Sequence, residues 1–144
     1  MHQSTLPCDF ALPAEWEPQS AIMLTWPHAG TDWKPYLPEI TDTYLELADI
    51  ITRYEQLLVA TPDVPATRYQ LKKKLSAEQM SRVLLYEVES NDTWVRDHGP
   101  LTMVLRKKQN TWMVPYRILD FKFNGWGEKF RWEKDNAIAL QLYY

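Results

Sequence analysis

Between residues 21 and 88 the apolar positions alternate between two periods. Ala21-Ile22-Met23-Leu24-Thr25-Trp26 is a nearly continuous apolar run that stops at Pro27, the pattern of a strand buried on both faces. Past the turn-rich stretch from Pro27 to Pro38, Ile40, Tyr44, Leu47, Ala48, Ile51 and Tyr54 recur at three- and four-residue steps, with Asp42, Glu46, Asp49 and Arg53 on the other side. That spacing predicts an amphipathic helix laid on a sheet. Residues 56–60 predict a second buried strand. Thr61-Pro62-Asp63-Val64-Pro65 offers a cap and a first-turn proline, so a helix is predicted over 66–75, continued in broken form through 76–79. Residues 83–88 predict a third strand. Strand, helix, strand, helix, strand is the order of an α/β fold with parallel pairing.

The pattern changes after Glu89. Residues 93–97 form a short polar and aromatic segment closed by Gly99-Pro100, and residues 101–106 and 111–119 predict two strands joined across Lys107-Lys108-Gln109-Asn110. A loop rich in aromatics and glycine, 121–132, leads to a helix over 135–144, with Asp135 and Asn136 as caps and Ile138 and Leu142 at helical spacing. It stops on Leu142-Tyr143-Tyr144 without a C-terminal cap, which predicts a truncated domain whose exposed edges and apolar residues favour self-association. At the other end, residues 1–20 predict an extended proline-rich arm with Trp16 pinned against the body, and residues 21–144 the αβ units.

Composition narrows the function. Sixteen Lys plus Arg against nineteen Asp plus Glu give a net charge of −3, and the basic runs Lys72-Lys73-Lys74 and Arg106-Lys107-Lys108 are short, so they read as solvated faces and no nucleic-acid partner is expected. No apolar stretch approaches the roughly 20 residues of a membrane span, and the N-terminus lacks the pattern of a secretory signal, so a cytoplasmic protein with no membrane partner is expected. The single cysteine, Cys8, cannot form an internal disulfide and reads as a structural or incidental thiol. His2, His28 and His98 are scattered without metal-ligand spacing, so neither a metal nor a cofactor is expected. Seven tryptophans point to an aromatic-walled pocket or a surface covered by other protein, although for any one of them taken alone core filling is the plainer reading.

The chemistry-bearing residues concentrate just after the third strand, in Glu89-Ser90-Asn91-Asp92-Thr93-Trp94-Val95-Arg96-Asp97-His98-Gly99-Pro100. Ligands of α/β sheets bind beyond the carboxyl ends of strands. Trp94 and Asp97 are three apart, and in a tight turn they can face one space. A flat π surface beside two acceptor oxygens suits a planar guanidinium, which stacks on one and donates to the other. The same residues also have plainer roles: Asp97 can pair with Arg96 or cap a turn, Trp94 can sit in the core, and Asn91 and Asp92 can form turns. His98 reads as a surface residue beside the Gly-Pro turn, a weak general base. Asn124-Gly125-Trp126-Gly127-Glu128 lacks the third glycine of a phosphate cradle, and Gly125 and Gly127 read as letting the backbone bend tightly around Trp126.

The run Asn91-Asp92-Thr93-Trp94-Val95-Arg96-Asp97-His98-Gly99-Pro100 resembles the N-D-x-W-x-R-D-x-G-P signature of agmatine deiminases and Porphyromonas-type peptidylarginine deiminases. Pro13-Ala14-Glu15-Trp16-Glu17-Pro18, Met23-Leu24-Thr25-Trp26-Pro27, Phe123-Asn124-Gly125-Trp126-Gly127 and Trp132-Glu133-Lys134-Asp135-Asn136 resemble further segments of that family in the same order. The resemblance implies the pentein fold, a fan of five αβ units around a channel, of which this chain covers roughly the first two blades. It implies a small guanidinium substrate such as agmatine, on the route to putrescine, or a peptidyl-arginine. Trp94 is then the stacking residue and Asp97 the bonding carboxylate, with Asp92, Arg96 and Trp126 as secondary candidates. Family members are more than twice as long, with the nucleophilic cysteine and the catalytic histidine at positions that have no counterpart here, so the chain alone is expected to be inactive. An amidinotransferase of the same fold, or a non-enzymatic aromatic-rich binding module, are the alternatives.

Overall fold

A computed structural model of the chain describes residues 10–105 and 116–143. Cys8, the basic run at 106–108, the expected hairpin connection and the first part of the strand expected over 111–119 lie outside the described residues. In chain order the elements are β1 (Phe10–Ala11), β2 (Ala21–Thr25), a 3-10 turn (Lys34–Tyr36) running into α1 (Leu37–Thr52), β3 (Gln56–Thr61), α2 (Val64–Lys74), α3 (Ala77–Met80), β4 (Val83–Glu87), α4 (Val95–His98), β5 (Leu101–Leu105), β6 (Tyr116–Leu119), one tight turn α5 (Gly125–Glu128) and α6 (Glu133–Tyr143). They divide into two compact units, one formed by residues 19–99 with 122–144, the other by residues 1–18 with 100–121.

The larger unit holds a parallel sheet in the order β2-β3-β4, in which Leu24 pairs with Val59 and Val59 with Leu85. Because side chains alternate along a strand, β3 feeds two cores. Leu57 and Val59 face α1 and α2 and pack with Leu24, Trp26, Ala48, Leu71, Leu75 and Val83, while Ala60 faces the opposite side and packs with Val88, Met23 and Ile138 and Leu142 of α6. Each fully buried Leu, Ile or Val contributes about 1.5–3 kcal/mol. Buried hydroxyls are satisfied locally: Thr52 donates to the Ala48 carbonyl at 2.6 Å, and Thr61 and Thr67 join at 2.8 Å. Asp63 caps α2 by accepting from the Ala66 amide at 2.9 Å, and Ser76 and Gln79 form a capping box that starts α3 as a separate turn. The strand and helix order expected for residues 21–88 is thus found.

Several expectations are corrected. The core stripe of α1 runs through Tyr44, Leu45, Ala48 and Ile51, whereas Leu47 turns outward and Tyr54 lies beyond the helix end, 80% exposed. Trp16 is 88% exposed rather than pinned, and sits in a turn closed by Glu17 N–H to the Ala14 carbonyl. The last helix begins at Glu133, two residues before the expected caps, because its first free amides are met from elsewhere in the chain. Residues 95–98 form a helical turn where only a polar segment was expected.

The smaller unit is an antiparallel sheet in the order β1-β5-β6, with Phe10 opposite Leu105 and Leu101 opposite Leu119. The Arg117 guanidinium lies 4.4 Å from the centre of the Phe10 ring. Among the described residues no helix is long and apolar enough to cross a membrane.

Candidate functional site

In the larger unit the parallel strands end together, and the segments that follow β2 and β4 carry Asp32, Trp33 and residues 89–94. That is the end of an α/β sheet where ligands gather. The segment after β4 is fixed by polar bonds to α6. Asp135, buried in that helix, accepts the Asn91 amide at 2.6 Å and the Asp92 amide at 3.1 Å. In return the Asn91 side-chain oxygen accepts the Lys134 amide at 2.8 Å and the Asp135 amide at 3.4 Å, so it caps α6 from more than forty residues away. Burial pushes the Asp135 carboxyl up, and the two amides it accepts pull it back toward ionisation.

The next turn places the two residues singled out for guanidinium binding. The Trp94 carbonyl accepts the Asp97 and His98 amides at 2.9 and 3.2 Å, which closes α4 and brings side chains three apart to one side. Trp94 and Asp97 both line one cleft of about 720 Å³, together with Asp32, Trp33, Tyr36, Asp92, Trp126, Lys129 and Phe130. The Trp94 ring is 6.2 Å from Trp33 at a tilt of 39° and 6.2 Å from Trp126 at 82°. Two of the indole N–H groups are used internally: Trp33 donates to Thr93 Oγ1 at 2.9 Å and Trp94 to Asp92 Oδ2 at 2.9 Å. Those rings offer π faces rather than donors, and the lining carries three carboxylates against one ammonium. A cation with a flat body fits that chemistry.

Trp126 reaches the cleft through an unusual backbone. Gly125, Trp126, Gly127 and Glu128 have φ of 60°, 55°, 83° and 63°, a left-handed turn closed by Glu128 N–H to the Asn124 carbonyl at 2.7 Å. Asn124 also accepts the Gly127 amide through its side chain at 3.0 Å. A Cβ on Gly125 would stand 2.5 Å from the Phe130 carbonyl oxygen, so this position admits only glycine. The Trp126 ring is then held edge-on by Phe123 at 5.2 Å and Phe130 at 5.6 Å. The expectation that Gly125 and Gly127 bend the chain around Trp126 is met.

An adjoining cleft of about 610 Å³ is lined by His28, Glu89, Ser90, Arg131, Lys134 and Asp135, among others. Its Ser-His contact is not a nucleophile pair. His28 Nδ1 accepts the Gly30 amide at 3.1 Å, so the proton is on Nε2, which faces Ser90 Oγ at 3.1 Å and donates to it. Burial lowers the His28 pKa, opposed by the Glu89 charge. Glu89 in turn is held below the usual carboxylate range by its ion pair with Lys134 at 2.8 Å.

His98 overturns its sequence reading. It is 2% exposed, with Nε2 at 3.4 Å from Thr25 Oγ1, no hydrogen-bond partner for Nδ1 among the described residues and the Phe123 ring 6.3 Å away. Burial holds its pKa down at about 4, so it is neutral. Of the secondary candidates, Asp92 and Trp126 line both clefts, whereas Arg96 is exposed and lines neither. Asp92 bonds the neighbouring backbone, as the turn-forming reading has it, and also holds an indole, whereas Asn91 departs from that reading: its side chain caps the distant α6. Asp32, Trp33, Tyr36, Phe130 and Asp135 went unnoticed as site residues in the sequence, since nothing local sets them apart. Among the described residues no three His, Cys, Asp or Glu side chains cluster as metal ligands would.

Comparison with known proteins gives the family. The family model of Porphyromonas-type peptidyl-arginine deiminase matches residues 11–144, and the chain belongs to that family. A Yersinia pestis protein named as an agmatine deiminase is 30% identical over 138 residues, covering 92% of this chain and 34% of its own. The structure of a C. jejuni agmatine deiminase with a Cys-to-Ser substitution and substrate bound is similar with a TM-score of 0.78 at 31% identity, over 93% of this chain and 36% of that one. A structure from Porphyromonas gingivalis named as an arginine deiminase gives 0.73 at 40% identity, over 93% and 36%. The chain spans about a third of the length of these relatives.

Proposed function

We propose that this chain supplies the guanidinium-holding part of a deiminase that hydrolyses a C–N bond of agmatine or of a peptidyl-arginine. The observation that carries the reading is that Trp94 and Asp97 line one cleft whose other walls include two more indoles and two more carboxylates. Trp94 stacks on the planar cation, Asp97 accepts its N–H groups, and Asp92 and Trp126 touch the stacking ring, one at its N–H and the other edge-on. Family membership supports the choice of reaction, as does the C. jejuni relative that holds its substrate. The 144 residues are read as about two of the five blades of a pentein domain, with the thiolate and the catalytic histidine supplied by the part of the relatives' length that they do not span.

In the complete enzyme the thiolate adds to the central guanidinium carbon. The tetrahedral adduct expels one nitrogen as ammonia, with histidine delivering the proton, and leaves an S-linked thiouronium. Water then attacks the same carbon, the C–S bond breaks, and a ureido product and the thiolate are released. Asp97 and Trp94 fix the carbon in place and make no bond to it.

Titration calorimetry on the chain tests the reading. Agmatine or arginine is expected to bind in preference to a neutral sugar, with Trp94→Ala and Asp97→Asn each weakening that binding at least about tenfold. Ammonia release from either guanidine by the 144-residue chain is expected to be absent. Equal binding by both variants would sink the reading.

A further inference from the structure

We propose that Asp92 is the positioning residue of the guanidinium clamp: its carboxylate, anchored through the backbone to buried Asp135, fixes the plane of the Trp94 indole and enriches its π face. This rests on the reading of the cleft as a guanidinium site. Trp94 is 46% exposed, so packing covers only part of it, and a free indole would sample several rotamers. Beside its ring contacts with Trp33 and Trp126, the indole is held by the bond from Nε1–H to Asp92 Oδ2 at 2.9 Å.

The carboxylate divides its oxygens between ring and backbone. Oδ1 accepts the Thr93 amide at 2.8 Å and its hydroxyl at 3.4 Å, while Oδ2 takes the indole. Asp92 cannot swing away without breaking both. Its own amide is tied at 3.1 Å to Asp135, which is buried in α6, and the neighbouring Asn91 amide at 2.6 Å ends on the same oxygen. A continuous path of hydrogen bonds therefore runs from the helix packed under the sheet to an exposed aromatic face.

Two effects follow. The bond sets the angle at which the indole meets the cleft, where Trp126 stands edge-on to it at 82°. A full negative charge on the acceptor also polarises the indole N–H and moves electron density into the ring, which strengthens its attraction for a cation. An amide in place of the carboxylate has one acceptor oxygen: kept on the Trp94 N–H, it gives up the Thr93 amide, so the variant loses the charge together with one backbone bond, and it is the comparison of a cationic with a neutral ligand that separates the two effects.

The experiment uses the isotopically labelled 144-residue chain, the Trp94 Nε1–H resonance assigned through Trp94→Phe, and agmatine with its neutral ureido analogue as probes. Asp92→Asn is expected to move that resonance upfield and weaken agmatine about fivefold, with the ureido analogue changing less than about twofold. Asp92→Ala is expected to weaken both ligands at least about tenfold, approaching Trp94→Ala. A merely structural role would leave the charged and neutral ligands equally affected by Asp92→Asn, and that result overturns the electronic part. A resonance unmoved in both variants overturns the whole. If agmatine fails to bind the unsubstituted chain while the resonance still moves, the guanidinium reading and the role in binding fall together, and the Asp92–Trp94 bond stands by itself.

Discussion

The cleft places two of its indoles by opposite means. Trp94 is set by satisfied polar groups: a carboxylate on its N–H, and a reciprocal clasp between Asn91 and Asp135 beneath it. Trp126 is set by a backbone that most residues avoid, four successive positive φ angles held by Asn124 and enclosed by Phe123 and Phe130. The first device loses stability when a partner is removed, because amides are left buried and unpaired. The second loses it when an atom is added, because the turn has no room and no conformational slack. Deletion should hurt one wall and insertion the other.

The largest effect is expected at Gly125. Gly125→Ala puts a methyl 2.5 Å from the Phe130 carbonyl at a φ of 60°, and urea unfolding should register a loss of at least ~3 kcal/mol. Next comes His98, which ends the first segment and meets Phe123 of the second. Its pKa of about 4 lies below the ordinary 6.5, so between those values the unfolded chain binds the extra proton. Stability should be flat above pH 6.5 in this contribution and fall by up to ~3 kcal/mol on acidification to pH 4. His98→Gln should flatten that slope, and a slope unchanged in the variant would show that another group carries it.

Asp135 gives a smaller, sharper contrast. Asp135→Ala orphans the Asn91 and Asp92 amides and should cost ~2 kcal/mol, whereas Asp135→Asn keeps an acceptor, sheds the charge that burial disfavours and should stay within ~1 kcal/mol in thermal unfolding. Gly127→Ala should be mildest of the glycine changes. Beyond its chain neighbours, no atom of the described residues lies within 4 Å of its would-be Cβ, so only the φ of 83° is strained, for ~1 kcal/mol. A Gly127→Ala cost equal to that of Gly125→Ala would mean that the turn, rather than the Phe130 carbonyl, sets the tolerance.

What could be read along the chain was whatever neighbours in sequence decide. The runs at Ala21 to Trp26 and Gln56 to Ala60 are apolar on both faces because the sheet is covered on both, and that shows in the letters. Trp94 and Asp97 could be paired because one short turn contains them. Trp33 could not, since its link to Thr93 spans sixty residues, and Asp135 passed for a helix cap because its true partners lie more than forty residues back. His98 beside Gly99-Pro100 has every local mark of a surface position, and its burial comes from Thr25 and Phe123 arriving from distant segments. The glycines around Trp126 announce a bend, but nothing in the letters says that Trp126 and Glu128 share the left-handed conformation.

Three indole rings in sequence, each 6.2 Å from the next and fixed at unequal angles, make a small array of coupled chromophores. Its near-ultraviolet dichroism should depend on the mutual orientation of Trp33, Trp94 and Trp126 and vanish when that packing loosens, even with the helices intact. Occupancy of the cleft and integrity of its walls can therefore be followed by light alone, with no label attached.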